Sequence, residues 1–75
     1  MSMNYKDFNL KPGEVALFNE TENKYYRFRS LIDACKRAVD AGRNPENGWN
    51  IIDDLGVTYE QEDWTFFAQL PSPEY

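Results

Sequence analysis

The chain has 75 residues with eight basic and thirteen acidic side chains, no histidine and one cysteine, for a formal net charge of −5. Such a length makes a single domain, residues 1–75, with a small core, and one thiol excludes an internal disulfide framework. The lack of histidine removes the Ser/His/Asp and Cys/His nucleophile systems, and no apolar run approaches a membrane span or a secretory leader, so a cytoplasmic protein without membrane partners is expected.

Residues 1–13 carry Tyr5 and Phe8 without a clear period and read as an N-terminal arm, closed by the turn signal Lys11-Pro12-Gly13. Residues 14–18 are β-prone. Residues 25–29 alternate, with Tyr26 and Phe28 on one side and Tyr25, Arg27 and Arg29 on the other, which predicts a half-buried strand. The polar segment between the two runs makes them a hairpin. Ser30 then stands three residues before Asp33, where a hydroxyl accepts from a free N–H of a first helical turn, so a helix is predicted from Leu31. Leu31, Ala34, Cys35, Ala38 and Val39 recur with the helical period. Gly42 supplies a residue that tolerates positive φ, and Arg43 and Pro45 follow where helices stop. The expected fold class is α+β: a β-hairpin followed by one amphipathic α-helix packed on an antiparallel sheet. Its core is expected to hold Val15, Leu17, Tyr26, Phe28, Leu31, Cys35, Ala38 and Val39.

The remainder of the chain admits two readings at each step. Asn44-Pro45 is a helix opening with Leu55-Gly56 as its close, but residues 49–53 read equally as a buried strand, and the internal Gly48 and asparagines weaken the helix. In residues 57–70, Thr58 with Gln61 and the acids that follow suit a short helix. The β-prone runs Val57-Thr58-Tyr59 and Trp64-Thr65-Phe66-Phe67 around an acidic turn at residues 60–63 favour a second hairpin. Pro71 and Pro73 make residues 71–75 a tail.

Charge is divided unevenly: residues 1–43 hold all eight basic and six of the acidic side chains, whereas residues 44–75 hold seven acids and no base. Asp53, Asp54, Glu60, Glu62 and Asp63, with the aromatic neighbours Tyr59 and Trp64, are the expected partner-binding surface. Their carboxylates would stand in for phosphates on a protein partner whose basic surface binds nucleic acid. In size and charge the chain resembles small phage-encoded inhibitors of host nucleic-acid-handling machinery, including anti-CRISPR and DNA-mimic proteins. That resemblance implies an inhibitor or adaptor acting in the host-cell cytoplasm.

Two other classes compete with that reading. Tyr25, Arg27 and Arg29 on one strand face suit a single-stranded nucleic-acid-binding module, since aromatics stack on bases and arginines contact phosphates. A structural subunit of a larger assembly would dock instead through aromatic patches. Plain structural roles are expected beside these: Cys35 as a small core residue, and Arg27 and Arg29 paired with acids of the C-terminal half. The acid clusters lack the EF-hand spacing, so no metal is expected, nor any catalytic residue or cofactor.

Overall fold

The computed structural model describes residues 8–71. Along the chain these form strands β1 (Val15–Asn19) and β2 (Lys24–Phe28), helix α1 (Leu31–Asp40), a 3-10 turn (Pro45–Asn47), strands β3 (Trp49–Asp53) and β4 (Thr58–Tyr59), and helix α2 (Gln61–Ala68). The four strands make one antiparallel sheet in the order β2-β1-β3-β4. The expected α+β architecture is present. Residues 1–7 of the expected arm, Tyr5 among them, and residues 72–75 of the expected tail lie outside the described residues.

β1 is the axis of the sheet, and its composition explains why. Val15 and Leu17 point to one face and Ala16 and Phe18 to the other, and all of them are buried. A strand covered on both faces reads as a continuous apolar run, as Val15-Ala16-Leu17-Phe18 does. On the first face Val15, Leu17, Trp49 and Ile51 meet Ala34, Cys35 and Ala38 of α1 and Trp64 of α2. On the second, Phe8 closes over Ala16, Phe18 and Ile52, with Leu10 alongside. The part of the N-terminal arm that is described is therefore a structural layer. Its exit is the turn predicted at Lys11: the Glu14 N–H donates to the Lys11 carbonyl at 2.9 Å, and Gly13 takes φ 85°.

α1 begins and ends as its local sequence dictates. The Ser30 Oγ accepts from the Asp33 N–H at 3.2 Å. At the other end the Gly42 N–H donates to the Val39 carbonyl and the Arg43 N–H to the Ala38 carbonyl. This double closure is the Schellman arrangement, and it needs the φ of 70° that Gly42 adopts.

Several expectations need correction. Residues 57–67 do not form a hairpin: the second hairpin is β3 with β4, and the run from Gln61 is α2. Its helical state has a local cause, since the Glu60 side chain accepts from the N–H of Asp63 while the Asp63 carboxylate accepts from the Glu60 N–H, a reciprocal cap. Trp64, Phe67 and Ala68 then fall at i, i+3 and i+4 and pack on the core together. The helix contemplated over residues 45–55 shrinks to the Pro45–Asn47 turn, capped by Asn44, and β3 follows it. Tyr26 and Val39, expected in the core, are 42% and 46% exposed. Tyr26 sits on the edge strand, and Val39 lines the open cleft between α1 and α2.

Candidate functional site

The expected acidic surface resolves into groups with different tasks. Asp53 ends β3 and organises the β3–β4 turn. Its Oδ1 accepts from the N–H groups of Leu55 and Val57, both at 2.9 Å, and its Oδ2 from the Tyr59 hydroxyl at 2.9 Å. Tyr59 is consequently half-buried, and burial first, then the hydrogen bond to Asp53, pushes its hydroxyl up to about 12. Trp64 is 1% exposed and donates its indole N–H to the Tyr59 carbonyl at 3.1 Å. The expectation that Trp64 stands beside the acids as a surface aromatic is corrected: an indole this buried is core. Glu60 and Asp63 cap α2 while remaining exposed, and Glu62 is exposed on the same turn. Asp54 is half-exposed in the β3–β4 turn. Four carboxylates therefore remain at the surface of this end of the sheet, two of them with a capping task.

Among the described residues, no group of three or more His, Cys, Asp or Glu side chains is placed to hold a metal ion, and no helix is long and apolar enough to cross a membrane. Cys35 has no accessible surface, and burial, then the nearby Asp63 charge, pushes its thiol up to about 12. A thiol held protonated is a poor nucleophile.

Arg27, Arg37 and Arg43 gather beside β2, Arg43 also lining the cleft with Gln61 and Thr65 of α2. β2 is separated from β4 by β1 and β3, so Arg27 on β2 lies at the other edge of the sheet from β4 and the turn that holds Asp54. The expected pairing of Arg27 with the C-terminal acids is therefore corrected. Arg29 lies one residue past β2 and has contacts of its own. Between β2 and the C-terminal half of α1 runs a groove of about 880 Å³, lined by Tyr25, Tyr26, Arg27, Arg37, Asp40 and Arg43 among others.

Each of these side chains is placed by a feature already described. The pleat of β2 sends Tyr26 to the helix face, opposite Leu17, and Tyr25 and Arg27 to the arm face, opposite Phe18 and Ala16. Tyr25 packs against Phe8 with ring centroids 5.0 Å apart. Tyr26 stacks on Trp49 at 6.1 Å and 21°. The Schellman closure at Gly42 turns the chain so that the Arg43 guanidinium lies over both rings, 5.0 Å from the Tyr26 centroid and 4.6 Å from that of Trp49. Such cation–π contacts hold a planar cation in place without neutralising it. Arg37 is exposed in the last turn of α1, where a cation also suits the helix dipole. Three guanidiniums and one carboxylate, Asp40, thus border the groove.

Sequence reasoning singled out Tyr25 and Arg27 but missed Arg37, Asp40 and Arg43. The available signal was that β2 runs directly into α1 through a two-residue link, Arg29-Ser30, which brings the strand and the helix side by side. Comparison with known protein families, with curated proteins and with solved structures finds no match.

Proposed function

We propose that this protein is a non-enzymatic interaction protein, an adaptor or inhibitor that acts by gripping a partner protein at the β2 edge. The observation that supports the reading is the gathering of three arginines along the groove between β2 and α1. Arg27, Arg37 and Arg43 border the groove at the β2 edge, while Asp54 lies in the turn before β4, at the other edge of the sheet, and Glu60, Glu62 and Asp63 lie at the start of α2. Charge gathered in this way orients an incoming partner and discriminates against partners of the wrong sign. The cytoplasm, a reducing compartment, suits the lone buried thiol of Cys35.

A second reading assigns the partner to the acidic end. There the chain would occupy a basic, nucleic-acid-binding surface, as phage-encoded inhibitors of host defence and DNA mimics do. What favours it is that Glu62 and Asp63 in the first turn of one short helix, and Glu60 at its N-cap, are all exposed.

Affinity capture with three immobilised baits tests both: the parent chain, R27E/R37E, and D54N/E60Q/E62Q/D63N. A protein retained by the parent and by the four-acid variant but lost from R27E/R37E supports the β2 edge. The reverse pattern supports the acidic end. Identical recovery on all three baits overturns both.

A further inference from the structure

We propose that the β2 edge takes up an extended acidic peptide segment of a partner protein, which adds as a fifth strand beside β2 with its carboxylates on Arg27, Arg37 and Arg43. The inference rests on the interaction reading above and specifies the chemistry of the partner at that edge.

The first support is the strand itself. Among the described residues β2 has a single strand neighbour, β1. Successive residues of β2 direct their N–H and C=O groups alternately toward β1 and outward, so every second residue of the edge strand presents both groups to a further strand. Natural edges are blunted by brevity, charged side chains, bulges, proline or a covering element; of these β2 has only the charges of Lys24 and Arg27, which an acidic segment would neutralise. β4 is blunted, being two residues long and followed at once by α2. β2 has five residues in unbroken register with β1, no proline and exposed side chains over residues 24–27. The groove runs along this edge and is walled on one side by α1. A slot between an edge strand and a helix is the geometry in which peptides bind by strand addition, backbone bonds giving affinity and the walls giving specificity.

Charge selects the occupant. Arg27, Arg37 and Arg43 outnumber Asp40 along the groove. A second copy of this chain pairing β2 with β2 would bring two such sets together, and like charges across an interface oppose association. Single-stranded nucleic acid meets a different obstacle, because stacking needs open ring faces. The Arg43 guanidinium lies over the Tyr26 ring, which also stacks on Trp49, while Tyr25 packs on Phe8. A peptide needs none of those faces. It requires the backbone edge, the arginines and room for side chains, and a few carboxylates suffer less from the net charge of −5 than a long polyanion does.

The test is a fluorescence-anisotropy titration of the whole chain with four labelled probes. These are a ten-residue peptide of Glu and Val with Glu on both faces of the extended strand, the same peptide N-methylated at every residue, its Lys/Val counterpart, and a dT12 single strand. The Glu/Val peptide is expected to bind and the Lys/Val peptide not. N-methylation keeps charge and length but removes ladder donors, and is expected to weaken binding about tenfold or more. R37Q, on the exposed helix surface, should weaken the Glu/Val peptide severalfold, and E62Q should leave it unchanged. Equal binding of the two acidic peptides overturns strand addition, as does tighter binding of dT12. Sedimentation showing that the chain dimerises and that the Glu/Val peptide does not dissociate it overturns the proposal in favour of a second copy. Capture lost from the R27E/R37E bait with no discrimination between the acidic peptides leaves the interaction reading standing and removes this one.

Discussion

Asn19 is the buried polar side chain of the described structure, 1% exposed at the end of β1. Its Oδ1 accepts from the Glu22 N–H at 3.1 Å, and its Nδ2 donates to Glu22 Oε2 at 3.1 Å and to the Asn47 carbonyl at 3.2 Å. One carboxamide therefore ties the β1–β2 turn to the 3-10 turn before β3, and Gly48, at φ 88°, lies against it. Removing a partner from buried groups costs their desolvation, so Asn19→Ala should lose about 1–3 kcal/mol in urea denaturation. Cys35 gives a pH-dependent prediction at the same scale. Its thiol rises from 9.0 to about 12 and the Tyr59 hydroxyl from 10.0 to about 12. Both groups are neutral when protonated, so the unfolded chain loses these protons first and stability falls as pH rises through about 9 to 12. C35A should flatten the first part of that loss. The parent thiol should resist a thiol reagent under native conditions at pH 8 and react on unfolding; prompt native modification would contradict its place in the core.

At the scale of the element, two short-range devices decide the C-terminal third. The β3–β4 connection is residues 54–57, closed by the Asp53 N–H donating to the Val57 carbonyl at 3.0 Å; within it the Gly56 N–H donates to the Asp53 carbonyl at 3.1 Å and Gly56 takes φ 84°. A type I turn followed by a left-handed glycine is a common hairpin link. Asp53 serves it with two backbone bonds and the Tyr59 hydroxyl, so D53A should lose about 1.5–3 kcal/mol. D54A should change stability by less than about 0.5 kcal/mol, as surface positions usually do. Equal thermal midpoints for the two variants would show that the Asp53 bonds do not hold the turn. α2 then closes against α1, where the Lys36 Nζ donates to the Ala68 carbonyl at 3.2 Å and so caps the second helix from the first.

Over the whole molecule, protection should follow the strand order. β1 is hydrogen-bonded on both sides and covered on both faces, whereas β2 and β4 are edges. Native-state amide exchange should be slowest in β1 and β3, in line with their burial, and fast in the outward-facing amides of β2. A bound peptide that extends the sheet should slow those β2 amides selectively. Slow exchange throughout β2 in the chain alone would mean that the edge is already covered. Added salt should weaken any partner steered by the groove arginines, since exposed charges are screened beyond about 10 Å at 0.1 M.

What the sequence by itself determined is the set of features closed within a few residues. The Ser30 start of α1, the Gly42 stop, the turn at Lys11 and the β1–β2 hairpin depend on hydrogen bonds between near neighbours, and their residue types state them directly. Cys35 and Ala38 in the core follow from the helical period alone. Tertiary structure decided the rest, because burial depends on what arrives from elsewhere in the chain. Trp64-Thr65-Phe66-Phe67 has the side chains of a strand, but with Glu60 and Asp63 capping ahead of it and α1 available alongside, a helix buries Trp64, Phe67 and Ala68 together. Tyr26 and Phe28 alternate alike, yet Tyr26 is exposed and Phe28 half-buried. The groove was illegible for the same reason. Arg37 and Arg43 come beside Tyr25, Tyr26 and Arg27 only when α1 lies against the sheet and β2 is left at its edge. A strand's place in a sheet is a property of the packed whole, not of its own five residues.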